Sequence, residues 1–438
     1  VETIMSRRFN WAALGLIITC CGNFAIADSG AHHALIIRAA RLIEIDTGQV
    51  ISPAEVLVDG ERIVAAGAAV RHPAGAEVVD LGNATLLPGL IDAHVHLFLH
   101  PGAEDLQTVQ ESVPKRTLLA LLAARADLMA GFTAERDLGT EGAGSADTAV
   151  RDAIDQGLFP GPRLRTCGNA IDILGGHEDA IGFNPAQHLQ SNASYANSAD
   201  ELIAVIRAQH KEGSDFVKIY QTGPDEMRDG TLHTPFQYTT AQLKAAVDEA
   251  ARLGTIVAVH ATGEPGAGYA VEAGVGSVEH ALQLSDETMR LMKQRHIPAV
   301  PTLSWYEYFT THSPTPEENR AASEIYNYKV KEFKRQVAAG IPLAVGSDVG
   351  PFPHGTQARE FELMVQGGMT PLAVLQADLV TGAKLLGWEH QIGLLKPGYY
   401  ADIIAVPGNP LTDIGTLKDV VLVVKGGVIV KRPVSRTP

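Results

Sequence analysis

Cysteine is nearly missing from this chain: three of its 438 residues are Cys, and two of those, Cys20 and Cys21, lie close to the N-terminus. Beyond them only Cys167 remains, so no disulfide can form within the rest of the chain and its stability must come from packing and bound groups. Cys167 itself, in RLRTCGNAI, has no activating neighbour in its motif and reads as a small buried hydrophobe. No apolar run reaches the roughly 20 residues of a membrane-spanning helix, which excludes a stable membrane span. Basic runs are scarce as well. The nearest is the mixed stretch KVKEFKR from Lys329, and the formal net charge is −15, which excludes nucleic acid as a partner. No glycine-rich phosphate loop follows the first strand of the alternating region, so a dinucleotide-binding fold has no support.

The N-terminus has a processing pattern. Arg7 and Arg8 follow Met5, an apolar stretch runs from Trp11 to Cys21, and Ala25-Ile26-Ala27 has the small-x-small form cut by signal peptidase. Residues 1–27 are therefore expected to be a signal peptide, and the mature protein to be exported to a bacterial periplasm or secreted. Ser6-Arg7-Arg8 leaves twin-arginine export open. Asn10, standing where that pattern needs an apolar residue, favours ordinary secretion.

Two kinds of text follow. Segments 34–88 and the chain end, with ADIIAVPGN and DVVLVVKGGVIVKR, read as short strands punctuated by Asp59-Gly60 and Gly426-Gly427 turns. Residues 28–88 and 390–438 are thus expected to pair into one small β-sandwich. Between them, over 89–389, strand-like TAERDLG, RLRTCGNAI, FVKIY, TIVAVHA, SVEHA, IPAVPTLSW and IPLAVGSD alternate with helix-like stretches, several closing on glycine. With GLIDAHVHL in front this makes eight strands, and the fold class expected is α/β, a (β/α)8 TIM barrel with that flanking sandwich.

The chemistry is carried by where the strands end. His94 and His96 share one face of GLIDAHVHL, because side chains at i and i+2 do so in a strand, and His260, His280 and Asp348 each end a later one. Such side chains gather at one rim of a parallel barrel. Several imidazoles with a carboxylate make a metal site there, with zinc the expected ion and manganese, cobalt or iron also compatible. Lys218, in DFVKIY, does not belong on this reading: an ammonium cannot ligate a cation.

The complete series of His94, His96, Lys218, His260, His280 and Asp348 resembles the amidohydrolase superfamily in its binuclear form, over about residues 34 to 430. The resemblance implies two divalent metal ions per chain and a Lys218 carboxylated by CO2 to a carbamate that bridges them. It assigns His94, His96 and Asp348 to one ion and His260 and His280 to the other. It also implies that a bridging hydroxide attacks the scissile carbonyl while Asp348 shuttles the proton to the departing amine, with Lys218 and Asp348 as the catalytic pair. Asp137, at the end of strand two, is read as structural.

Substrate recognition falls to loops above the metals. ILGGHED presents His177 at the rim, and Tyr220, two residues after Lys218, also faces inward. In amidohydrolases similar to Xaa-Pro dipeptidases and carboxypeptidases, such a pair binds the substrate's free carboxylate. The activity implied is hydrolysis of the C-terminal amide of dipeptides or N-acyl amino acids, ochratoxin A included, by a homo-oligomeric enzyme. The alternative is opening of a cyclic amide or imidazolone ring. WYEYF, Trp305 to Phe309, reads as a loop after strand seven that could wall a pocket, cover the helices or form an oligomer contact.

Overall fold

The computed structural model describes residues 34–433 except 103, 180–183, 185, 187 and 188. The signal-peptide reading over 1–27 lies outside the described residues.

Strands from the two chain ends share one six-stranded sheet, in the order Val428–Lys431, Leu422–Lys425, Ile403–Pro407, Ala84–Pro88, Arg41–Ile43 and Val50–Ile51. Its central pairing is antiparallel, from Ile403 opposite Pro88 to Pro407 opposite Ala84. A four-stranded sheet of Arg62–Gly67, Ala54–Asp59, Leu35–Ala39 and Glu77–Asp80 accompanies it. Ile37, Val56, Leu86, Ile403 and Leu422, drawn from both sheets, form one buried apolar cluster. Both expected turns are present. Gly426 and Gly427 have φ of 55° and 75° between paired Lys425 and Val428, the backbone of a tight two-residue hairpin that disfavours other residues.

The alternating region gives two parallel sheets, besides one antiparallel hairpin of Glu226–Arg228 with Thr231–His233 in the loop after Val217–Tyr220. One sheet runs Ser194–Tyr195, Ile171–Asp172, Val217–Tyr220, Val257–Ala261, Ser277–His280, Ala299–Val300; a second runs Arg163–Arg165, Phe132–Asp137, Leu90–Val95. RLRTCGNAI joins them, because its start pairs with Phe132–Asp137 and its end with Val217–Tyr220. On the other side, residues 341–349 join them through parallel bridges of Leu343 to Ala299 and Val349 to Val95. That stretch is irregular rather than a full strand. Gly346 explains its close approach, since a Cβ there would sit 2.3 Å from Val300 Cγ1 and 2.8 Å from His94 Cβ.

Helices intervene where the apolar period predicts them, including Val113–Ala130, Ala199–Lys211 and Thr240–Arg252. Gly131, Gly157, Gly213, Gly254 and Gly340 all adopt left-handed φ at or just past helix ends. A second expected strand also falls short. IPAVPTLSW is a strand only at Ala299–Val300, and WYEYF lies on the helix Leu303–His312 rather than in a loop. The aromatics do have helical spacing: Trp305 contacts Phe309 at 4.8 Å between ring centroids, and Tyr308 stacks on His312 at 4.0 Å. The helix starts without a local cap. Glu360 supplies one from a distance, accepting from Leu303 N at 2.8 Å and from Ser304 N and Oγ at 2.6 Å.

Candidate metal centre and substrate cavity

Asp92, His94 and His96 follow one another on a single face, as the pleat requires, and all are buried. Asp92 draws the 341–349 stretch against them, accepting from Ser347 N at 3.0 Å and Ser347 Oγ at 2.5 Å. Asp348 N then donates to His94 O at 2.8 Å. The result is that Asp348 Oδ1 lies 3.4 Å from His94 Nε2 and 3.3 Å from His96 Nε2. One donor atom from each of the three residues falls within 4.8 Å of the others. Two donors bound to zinc at roughly 2.0–2.2 Å and a tetrahedral angle are separated by roughly 3.3–3.6 Å, so this trio fits an ion.

His260, at the end of Val257–Ala261, and His280, at the end of Ser277–His280, bring their rings within 4.4 Å of each other, and His280 lies 5.1 Å from His94. Among the described residues, the buried Nε2 atoms of His94 and His260 have no hydrogen-bond partner. Burial pushes His94, His260 and His280 well below the usual imidazole pKa, which leaves them in the neutral form that ligates metals. Burial pushes Asp348 up to about 6.

Lys218 is 1% exposed, lines the same cavity, and repels protons from His94, His96, His260 and His280. Among the described residues no carboxylate forms an ion pair with it. The carboxyls of Asp348 and Glu141 lie within its electrostatic reach, and its charge favours the ionised form of each.

The strands end in backbone that residues other than glycine seldom adopt. His280, Ala281, Thr302 and Asp348 have φ of 67°, 47°, 52° and 62°, at the ends of successive parallel segments. For His280 this matters directly. Alternation puts Ser277 and Glu279 inward, where Ser277 Oγ donates to Glu279 Oε1 at 2.5 Å, so a regular strand would turn His280 outward. The left-handed turn brings it back over the rim, with Nδ1 2.9 Å from Thr302 Oγ1.

The inward Glu279 is the functional residue that sequence reasoning missed. Its Oε2 lies 2.9 Å from His94 Nδ1, and its Oε1 accepts from Arg136 Nη2 at 2.8 Å, all side chains fully buried. A carboxylate on Nδ1 fixes the ring so that Nε2 faces the centre. The hint was present in the alternation of GSVEHA.

A cavity of about 370 Å³ opens above these residues, lined by His96, Lys218, His260, His280 and Asp348 on the side of the centre, and elsewhere by His177, Glu178, Tyr220, Asp225, Thr262, Trp305, Tyr306, Ile325 and Pro351. His94 lies behind it. His177 stacks on Tyr220 at 5.1 Å and 19° and packs 4.2 Å from the His260 ring. The Tyr220 hydroxyl is 3.5 Å from Glu141 Oε1, whose carboxyl burial holds above its usual pKa. Every site residue expected from the sequence therefore gathers at one place. Asp137 is buried outside the cavity and touches Gly139 N at 3.5 Å, and Cys167 is fully buried.

Comparison with known sequences decides the family, since the profile of the amidohydrolase family matches residues 85–430. The chain belongs to the amidohydrolase family. It is similar to a Xaa-Pro dipeptidase crystallised with methionine in its active site, with 31% identity and a TM-score of 0.83 over 91% of this chain and 100% of that one. Ochratoxinase of Aspergillus niger is 29% identical over 375 residues, 80% of this chain and 76% of that protein. Its crystal structure superposes with a TM-score of 0.79 at 27% identity, over 92% of this chain and 96% of that one. Imidazolonepropionase of Geobacillus sp. (strain WCH70) is 24% identical over 358 residues, 76% of each chain. This amidohydrolase is a hydrolytic enzyme, of a family whose members generally bind divalent metals, and it carries a His94, His96 and Asp348 site suited to one.

Proposed function

We propose that this amidohydrolase cleaves the C-terminal amide bond of dipeptides or N-acyl amino acids, as a metallo-exopeptidase of the Xaa-Pro dipeptidase or carboxypeptidase type. The observation that carries the reading is the His177–Tyr220 stack beside the imidazole cluster in one cavity, where an anionic group would lie next to the scissile bond. The likeness to a Xaa-Pro dipeptidase and to ochratoxinase supports it.

His94, His96 and Asp348 would hold one divalent ion, His260 and His280 a second, and a carboxylated Lys218 would bridge them. Bound there, divalent ions supply Lewis acidity toward a carbonyl oxygen and lower the pKa of water to roughly 7. The protein's own groups do the rest. His177 and the Tyr220 hydroxyl orient the substrate through its carboxylate, and Trp305, Tyr306 and Ile325 keep bulk water from the acyl portion. Asp348 Oδ2, turned away from the imidazole pair that Oδ1 faces, takes the proton of the attacking water and delivers it to the departing amine, a transfer worth roughly 10²- to 10⁴-fold.

The wider setting belongs to the same reading. Residues 89–389 form a (β/α)8 barrel, with 28–88 and 390–438 as a β-sandwich beside it, in a homo-oligomer exported after removal of residues 1–27. The test is a hydrolysis screen of Xaa-Pro, Xaa-Phe, Xaa-Arg and N-acyl-Phe substrates, each also as its C-terminal amide, on protein of measured metal content. The acids should be cleaved and the amides poorly. Equal rates for acid and amide would remove the exopeptidase reading in favour of ring opening, the reaction that the imidazolonepropionase likeness brings in.

A further inference from the structure

One residue of the cavity wall has no role in that scheme. Asp225, on the loop after Val217–Tyr220, lines the cavity together with Trp305, Tyr306 and Ile325. Its Oδ1 accepts from Thr262 Oγ1 at 2.6 Å, and the Thr234 hydroxyl supports it too. The loop is pinned where this happens: Thr222 Oγ1 lies 2.9 Å from Thr262 Oγ1 and accepts from Thr262 N at 2.9 Å, while Thr222 bridges to Phe236. Among the described residues no Lys, Arg or His pairs with Asp225. Glu178, the other acid above the centre, is engaged, with its carboxylate 3.5 Å from Asn192 Nδ2 and 3.7 Å from His177 Nε2.

A fixed carboxylate that faces a cavity without a counter-charge is a poor arrangement for the empty protein and a good one for a cationic ligand. Burial holds its pKa above the ordinary value, against the two threonine hydrogen bonds that favour the carboxylate. Its surroundings suit a cation: Tyr306 lies within electrostatic reach of both Asp225 and Asp348, and Trp305 packs on Tyr306 at 5.0 Å between rings. A cavity of about 370 Å³ holds little more than one dipeptide-sized molecule.

We propose that Asp225 is a specificity residue that receives an ammonium group on the acyl side of the scissile amide, the α-ammonium of an unblocked dipeptide. The inference rests on the exopeptidase reading and narrows it from N-acyl amino acids to free dipeptides. Two substrate pairs test it, Ala-Phe against propionyl-Phe and 6-aminohexanoyl-Phe against hexanoyl-Phe, each with wild-type enzyme and Asp225→Asn. A charge-assisted contact of this kind is worth roughly ten- to a hundredfold in kcat/KM. Wild type should prefer Ala-Phe over propionyl-Phe by at least about tenfold, and Asp225→Asn should bring that ratio close to one. A preference confined to the 6-aminohexanoyl pair and lost in Asp225→Asn would keep the cation but move it to a basic side chain. Equal rates within both wild-type pairs overturn the proposal, as does a variant that loses activity on all four substrates with ratios unchanged. The wild-type ratios decide even if the variant fails to fold. Failure of the exopeptidase reading is seen separately, as indifference to a C-terminal amide.

Discussion

Replacing Glu279 by Gln isolates what an orienting carboxylate contributes to this centre. Its two oxygens have different tasks, Oε2 at 2.9 Å from His94 Nδ1 and Oε1 at 2.8 Å from Arg136 Nη2, with Ser277 Oγ also on Oε1. Both neighbours of Gln would be donors. Its amide nitrogen must therefore face either the His94 ring N–H or the Arg136 guanidinium, and one donor meets a donor in a site with no exposed surface. If the nitrogen faces His94, the ring loses its anchor and must switch tautomer, which takes the free Nε2 from the metal. Orienting partners of this type carry roughly 10- to 100-fold in metal affinity, which corresponds to roughly 1.4–2.8 kcal/mol. Arg136 also loses its buried counter-charge, and breaking such a pair costs roughly 3–5 kcal/mol of stability. Competition with a chromogenic zinc chelator on the folded apo-protein measures the first quantity, and denaturant unfolding of the apo-protein the second. A variant within twofold of wild type in metal affinity would refute the claim that Glu279 acts through His94, whatever happens to stability.

Metal analysis should give about two ions per chain at full activity, and His94→Ala or His260→Ala should abolish activity while keeping the far-UV circular dichroism; one ion at full activity would remove the binuclear arrangement. Lys218→Ala should lose metal and activity together, with partial recovery in short carboxylic acids, and a high-resolution map with a bare amine between two occupied ions would exclude the carbamate. Tyr220→Phe removes one donor to a charged acceptor, about ten- to a hundredfold in kcat/KM on acid substrates, and the loss should vanish on the amides. Glu360, fully buried at the start of Leu303–His312, is pushed by burial from an ordinary 4.5 up to about 7. A carboxyl raised in the folded state stabilises below its unfolded value and loses that contribution as pH rises through the folded one. Glu360→Gln should accordingly flatten the fall of Tm between about pH 4.5 and 7, and an unchanged slope would show that Glu360 is ionised throughout.

The parts of the site legible in the sequence were those fixed by the strand repeat. His94 and His96 share a face because they are two apart, and His260 ends a clear β run, so their convergence needed only the parallel alternation of segments. Lys218 was legible through resemblance alone, since no spacing rule makes a lysine a ligand. Long-range partners left no local trace: Glu279 meets His94 across 185 residues. The helix Leu303–His312 was misread for the same reason. Its N-terminal donors are met by Glu360, 57 residues on from Leu303, while Thr302 before it adopts a left-handed conformation and offers no side-chain cap. Asp225 looked like any polar residue in a loop until the fold set it against the cavity.

The left-handed strand ends tie fold to function. A non-glycine residue held in that region costs roughly 1–3 kcal/mol, and His280, Ala281, Thr302 and Asp348 all accept it. Each is held by a contact that does not involve an ion. Lys329, buried on the helix Pro316–Ala339, donates to His280 O, and Gln336, seven residues and two turns further along the same helix face, donates to Ala281 O at 2.6 Å. Thr302 Oγ1 lies on His280 Nδ1, and Asp348 is tied by its own N–H to His94 O. The surrounding protein thus supplies a contact at each left-handed position, and these contacts tie the strand ends that carry His280 and Asp348 to the helix Pro316–Ala339 and to the strand Leu90–Val95.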